Sequence, residues 1–192
     1  MTELRTIPSR ELPKTPAKRL ELIAAVLASF IAALALIVSA YSAYWQRVQA
    51  RALVWPYLQL ASSDVTEDGK SDYRFLVLNG GIGPARIRFV EVTVDEKPVS
   101  TWDEAVKELI GERPPNTMIR NSVHGRIVSA GTNVNAVHVI DPEVAKAVAE
   151  ARHRLQMQVC YCSVLDECWL VSSHEEPAPI TKCPARSTSF KD

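Results

Sequence analysis

The chain lacks the linear signatures of the common catalytic centres. It has no G-x-S-x-G, no H-E-x-x-H and no EF-hand loop. Its cysteines lack the C-x-x-C spacing of a thioredoxin-type centre. Its glycines never form the GxxxxGK[ST] or helix-opening GxGxxG of a phosphate-binding loop. Charge of one sign is missing too. In all, 22 basic residues balance 22 acidic ones, and no basic patch with interleaved aromatics appears, which argues against nucleic acid as a partner. From these absences we expect no enzyme activity, no cofactor and no metal site. No internal repeat is visible.

Long apolar runs are absent, with one exception. Residues 22–46, LIAAVLASFIAALALIVSAYSAYWQ, contain no charge. At ~1.5 Å per residue, about 20 helical residues cross the hydrocarbon core of a bilayer, so this run spans with some tilt. The expected organisation starts with a disordered cytoplasmic tail over 1–19, with prolines at 8, 13 and 16. A transmembrane helix over 20–46, a β domain over 47–173 and a Pro-rich tail over 174–192 follow. The lipid bilayer is then one partner, through residues 20–46.

Arg5, Arg10, Lys14, Lys18 and Arg19 precede the run, against Arg47 and Arg51 just after it. Basic residues stay on the cytoplasmic side, so the N-terminus should lie inside and the remainder outside. Tyr41, Tyr44 and Trp45 then fall at the outer interface. The alternative is a cleaved signal peptide, with Val38-Ser39-Ala40 as the cleavage site. Its apolar region would exceed the roughly 7–15 residues usual for such signals. Ala24, Ala28 and Ala32, together with Ala25, Ser29 and Ala33, place small residues every four positions, which permits lateral helix association.

After the run the pattern becomes one of short strands between turn residues, which suggests an antiparallel sandwich. The expected strands are 53–61, 73–79, 85–94, 123–129, 134–140, 155–163 and 168–172. The first contains Pro56, which has no N–H to give and belongs on a sheet edge. In the third, Ile87 and Phe89 share one face while Val92 and Val94 share the other, a phase change that predicts a bulge or a crossing between sheets. Two short helices interrupt the strands. TWDEAVKELIG opens with Thr101 as cap and Glu104 three residues on, and Gly111 stops it. DPEVAKAVAEARHRL has Asp141 as cap and Pro142 at its first position, with Val144, Val148, Ala151 and Leu155 at helical spacing.

Three of the seven glycines fall in LNGGIGPARI. Arg86 and a strand pattern follow, so the segment reads as a connection. Asn79-Gly80 tolerates positive φ in a tight turn, and Gly83-Pro84 sets the entry to the next strand. With Asn79, Gly81, Gly83, Pro84 and Ala85 here, and Tyr161, Cys162, Ser163, Cys168 and Trp169 later, the chain resembles a bacterial family over roughly residues 20–172. Its members are uncharacterised single-pass inner-membrane proteins with an N-x-G-x-G-P-A turn and a C-terminal Y-C-S-x-x-x-x-C-W hairpin. The resemblance implies a bacterial periplasmic location and an immunoglobulin-like sandwich, and it transfers no activity. The inter-sheet pin of true immunoglobulin domains is missing, since 73–79 has no Cys and 85–94 has no Trp.

The four cysteines, Cys160, Cys162, Cys168 and Cys183, are the remaining candidates for chemistry. In a strand over 155–163, Leu155, Met157, Val159 and Tyr161 share one face. Gln156, Gln158, Cys160 and Cys162 share the other, more polar one. An oxidising compartment favours disulfides. A five-residue turn over 163–167 would bring Cys162 opposite Cys168 and leave Cys183 to hold the tail at Cys160. This is one of three connectivities that four cysteines allow, and each bridge would contribute roughly 2–3 kcal/mol. Zinc prefers paired C-x₂₋₄-C spacings, which these are not. His124, His138, His153 and His174 supply no ligand spacing and read as surface residues. Asp64, Glu67 and Asp68 around Gly69 read as a solvated loop. The expected function is a membrane-anchored, non-catalytic periplasmic interaction or scaffolding module with a protein partner in the envelope. The alternative is a periplasmic metal- or thiol-handling protein using the four cysteines.

Overall fold

The computed structural model describes residues 15–67, 70–173, 175–185 and 190–191. The expectations for most of the N-terminal tail, for Asp68 and Gly69, and for His174 lie outside the described residues.

The first element, α1 (Thr15–Leu53), is a 39-residue helix. Its large apolar residues from Leu20 to Trp45 stand exposed. A helix that is apolar all round is at home only in an apolar medium, and this one is long and apolar enough to cross a membrane. Ser29 satisfies its hydroxyl within the helix by donating to the Ala25 carbonyl at 2.8 Å. The helix runs past residue 46, so residue 53, expected in a strand, is helical instead. Pro56 falls in the connection after it, because the residue before a proline is pushed out of the helical region.

The chain divides into two compact units, Met1–Gln49 and Ala50–Asp192. Among the described residues the second holds ten strands, which in chain order are β1 (Leu58–Glu67), β2 (Lys70–Asn79), β3 (Ala85–Val94), β4 (Lys97–Val99), β5 (Met118–Arg120), β6 (Ile127–Val128), β7 (Asn133–Val139), β8 (Leu155–Cys162), β9 (Cys168–Ser172) and β10 (Ala178–Ile180). They form two antiparallel sheets. One has the order β1-β2-β7-β5; the other has β10-β9-β8-β3-β4, with β6 paired to β3. Tyr73, Phe75 and Val77 of β2 are buried in one core with Ile87, Val90, Val92 and Val94 of β3 and Met157, Val159 and Tyr161 of β8. The domain is therefore mainly β and sandwich-like.

β3 and β9 occupy the expected residues. The bulge in β3 lies between Ile87 and Phe89, so the two do not share a face. Ile87 joins the core, while Phe89 is buried on the opposite face beside Cys160. Of 123–129, only Ile127–Val128 is strand. β4, β5 and β10 were not expected, since three residues are too few to display a period of two.

The helices α2 (Trp102–Ile110) and α3 (Pro142–Ala151) follow their caps. Thr101 accepts from the Glu104 N–H at 3.2 Å, and the Glu104 carboxylate accepts in return from the Ser100 N–H at 2.6 Å. Gly111 closes α2 at φ 85. Asp141 accepts from the N–H groups of Glu143 and Val144. The apolar spacing through Leu155 does not make one long helix. Arg152–Arg154 form a 3-10 turn, and Leu155 opens β8.

Candidate functional site

Both sequence motifs converge on the same short stretch, residues 54–58, where the connection from α1 enters β1. Asn79, at the end of β2 and 1% exposed, uses its whole amide. Its Oδ1 accepts from the N–H groups of Tyr57 at 3.2 Å and Gly81 at 3.0 Å. Its Nδ2 donates to the carbonyls of Gly83 at 2.8 Å and Val128 at 3.0 Å. The backbone adds three bonds across the same gap. Gly80 N–H donates to Tyr57 O at 2.9 Å, and the N–H groups of Ile82 and Gly83 both donate to Trp55 O at 3.1 Å.

The glycines serve this approach rather than a positive φ. Among the described residues the positive-φ glycines are Gly111, Gly125 and Gly131, so the expectation for Asn79-Gly80 is corrected. A Cβ on Gly81 would lie 2.4 Å from Tyr57 N, and one on Gly83 would lie 2.0 Å from Val54 O. Gly80 is free of such contact, with its nearest neighbour at 3.6 Å. Pro84 then precedes Ala85, the first residue of β3.

The hairpin β8–β9 grips the next residue. The Tyr161 hydroxyl accepts from the buried Leu58 N–H at 3.2 Å, and the Tyr161 ring stacks on Trp169 with centroids 5.7 Å apart. Burial pushes the Tyr161 phenol up to about 12. Ser163, fully buried, organises the turn. Its N–H donates to Glu167 O at 2.8 Å and its Oγ accepts from Leu165 N–H at 3.1 Å. The motif pattern contained Ser163, but nothing in a single serine announced that role.

Cys162 and Cys168 are direct cross-strand partners and are bridged. Cys160 is bridged to Cys183, whose tail pairs with β9 through β10. Cys160 and Cys162 lie opposite the core face, as alternation places them, yet they are 0% and 4% exposed. The more polar face of β8 is thus closed at this end. Alternation identifies a face and not what covers it, and here the tail crosses it to reach Cys160. The two bridges touch, with Cys162 Sγ 3.8 Å from Cys183 Sγ. The sulfurs of Cys162, Cys168 and Cys183 all lie within 4.8 Å of one another. No free cysteine remains, and a metal would need thiolates in their place.

Elsewhere, His138 is not an isolated surface histidine. Its Nε2 lies 2.8 Å from Asp72 Oδ1, and Arg74 also holds that carboxylate. The hydrogen bond from Arg74, with a smaller contribution from His138, lowers the Asp72 acid below its ordinary value. Ser71 lines the same depression. As strand neighbours, however, Ser71 and Asp72 face opposite ways, and Ser71 Oγ lies against Thr66 Oγ1 at 3.5 Å. The three do not form a nucleophile relay. His124 and His153 are exposed at separate places, and Asp64 pairs with Arg152.

Fold and site together define a class: a mainly β domain behind a long apolar helix, with its entering chain clamped by an asparagine–glycine loop and a disulfide hairpin. Among known proteins the chain matches no family model, no curated protein and no solved structure.

Proposed function

We propose that the chain is a membrane-anchored, non-catalytic interaction or scaffolding module of the bacterial envelope. Residues 20–46 act as an uncleaved span of the inner membrane, the N-terminus is cytoplasmic, and an immunoglobulin-like domain stands in the periplasm with a protein partner there. The observation that carries this reading is the clamp. Asn79, Gly81, Gly83 and Tyr161 spend their buried polar groups and their missing side chains on fixing residues 54–58. Such a clamp fixes the path of the chain into β1, which suits a domain that works at the end of a tether. The excess of basic residues before the span supports the orientation, and two closed bridges fit an oxidising compartment. The two facing antiparallel sheets support the immunoglobulin-like reading, although both bridges lie on one sheet rather than between two.

Crosslinking in intact cells tests this reading. A defined envelope partner should be trapped, and capture of only abundant bystanders would count against it. Alkaline phosphatase fused after residue 192 should be active, and an inactive fusion would reverse the orientation.

The sulfur cluster favours a second reading, a metal- or thiol-handling protein that uses Cys160, Cys162, Cys168 and Cys183. Mass spectrometry under non-reducing conditions tests its metal-binding form: metal in place of bridges would favour it, and two intact bridges with no bound metal would count against it.

A further inference from the structure

We propose that the hairpin is a thiol–disulfide exchange site, in which Cys168 takes up an external dithiol and Cys162 passes the exchange to Cys183. The proposal is independent of the anchored-module reading, because it needs only the four cysteines and Arg86. It gives the thiol-handling alternative a defined chemistry.

The geometry has three parts. The two bridges are in contact through Cys162 and Cys183, 3.8 Å apart, so only a closure of about 2 Å separates them from a bond of ordinary length. Access is graded: Cys160 and Cys162 are buried, whereas Cys168 and Cys183 are partly open. Within the Cys162–Cys168 bridge the less enclosed residue is Cys168, so attack there frees the buried Cys162. The third part is an arginine. Arg86 of β3 is the direct cross-strand neighbour of Cys162, which brings the two side chains to about 5 Å at their Cβ atoms. One end of its guanidinium is tied to Asp166. Its buried Nε–H has no hydrogen-bond partner. A buried unpaired donor costs free energy in the bridged state. A thiolate on Cys162 would supply an acceptor for it, beside the Asp166 carboxylate that already balances its charge, and a neighbouring arginine is what favours the thiolate form of a cysteine.

The exchange balances. A thiolate of the dithiol attacks Cys168 Sγ; a mixed disulfide forms, and the Cys162–Cys168 bond breaks with its electron pair on Cys162. The Cys162 thiolate attacks Cys183 Sγ. The Cys162–Cys183 bond forms, the Cys160–Cys183 bond breaks, and Cys160 takes the electron pair and a proton. The second thiol of the dithiol then closes on its own mixed-disulfide sulfur and releases Cys168 as a thiol. The dithiol is oxidised by two electrons, and the chain goes from two bridges to one, between Cys162 and Cys183. Cys160, enclosed in an apolar setting beside Phe89, is left as a neutral thiol, a form that burial favours.

The test is partial reduction of the full chain in detergent with dithiothreitol, followed by rapid trapping with N-ethylmaleimide and mapping of once-reduced molecules. Chymotrypsin cuts after Tyr161 and so separates Cys160 from Cys162. The expected once-reduced species carries label on Cys160 and Cys168 and a bridge between Cys162 and Cys183. Label confined to either original pair, Cys162 with Cys168 or Cys160 with Cys183, overturns the proposal. In Cys168→Ser, the free Cys162 should share Cys183 with Cys160, giving both bridges in one preparation; the Cys160–Cys183 bridge alone would also overturn it. Arg86→Gln should slow formation of the Cys162–Cys183 bridge several-fold, with Arg86→Lys recovering part of the rate. An unchanged rate in Arg86→Gln removes the arginine from the site. None of these outcomes touches the anchored-module reading, because connectivity is read without membrane or partner.

Discussion

The amide proton of Leu58, the first residue of β1, goes to the phenolic oxygen of Tyr161 on the opposite sheet, at 3.2 Å. One hydrogen bond thereby ties the start of the β domain to the disulfide hairpin. Tyr161→Phe leaves the buried amide without that acceptor and should cost about 1–3 kcal/mol in urea unfolding. The pH dependence follows from the same burial, which pushes Tyr161 and Tyr73 both up to about 12. Unfolding returns the phenols to their ordinary value near 10. The folded chain thus keeps protons that the unfolded chain loses between about pH 10 and 12, and stability is intact below that window and falls through it. Each phenol contributes up to about 2–3 kcal/mol, so Tyr161→Phe should also shrink the alkaline loss. Phenols that titrate near 10 in the folded protein, followed by ultraviolet absorbance, would contradict this account.

The three loop glycines should respond unequally to alanine. Gly81→Ala and Gly83→Ala drive a methyl into the backbone of residues 54–57 and should cost about 1–3 kcal/mol or more. Gly80→Ala meets nothing closer than 3.6 Å and should be neutral or stabilising by about 0.4–1 kcal/mol. Thermal melts of the three variants decide the matter, and equal losses at 80 and 83 would remove the close-approach explanation.

The bridges should differ in their worth. Cys160–Cys183 closes a separation of 23 residues and Cys162–Cys168 one of 6. In the chain-entropy description the first contributes about 3 kcal/mol and the second about 2 kcal/mol. Paired serine substitutions, Cys160→Ser with Cys183→Ser against Cys162→Ser with Cys168→Ser, measure the order. The first pair should also open the tail near Ala178 to proteolysis.

Phe190 is 3% exposed and meets Trp102 edge-on, with ring centroids 5.2 Å apart. Trp102 in turn leans on Phe75 at 6.1 Å. Phe190→Ala should cost about 3–5 kcal/mol and shift the Trp102 emission to the red. Lys191→Ala, at an exposed neighbour, should change stability by no more than about 0.5 kcal/mol.

Local chemistry was legible wherever it depends on neighbours in the chain. Thr101 with Glu104, Asp141 with Pro142, the phase change in 85–94 that announces a bulge, and the strand 168–172 each carry their instruction within a few residues. The five-residue turn leaves the pairing of Cys162 with Cys168 as one of three connectivities, and the structure selects it. The short strands β4, β5 and β10 carried no such instruction, because their partners lie elsewhere in the sequence. The loop glycines were legible as a turn but not as a contact surface, since the atoms they admit belong to Val54 and Tyr57. The burial of Cys160 and Cys162 on a face read as polar depends likewise on a tail that begins after the hairpin ends.

Taken alone, the sequence determined an apolar helix long enough to cross a membrane, a mainly β domain after it, and the caps of its two short helices. These are matters of composition and period, which act along the chain. Only the tertiary structure decided that Asn79, Gly81, Gly83 and Tyr161 hold one segment, that two bridges meet at Cys162 and Cys183, and that Arg86 lies across from Cys162. Those relations are distances between residues far apart in sequence, and they exist only once the two sheets have closed on their common core.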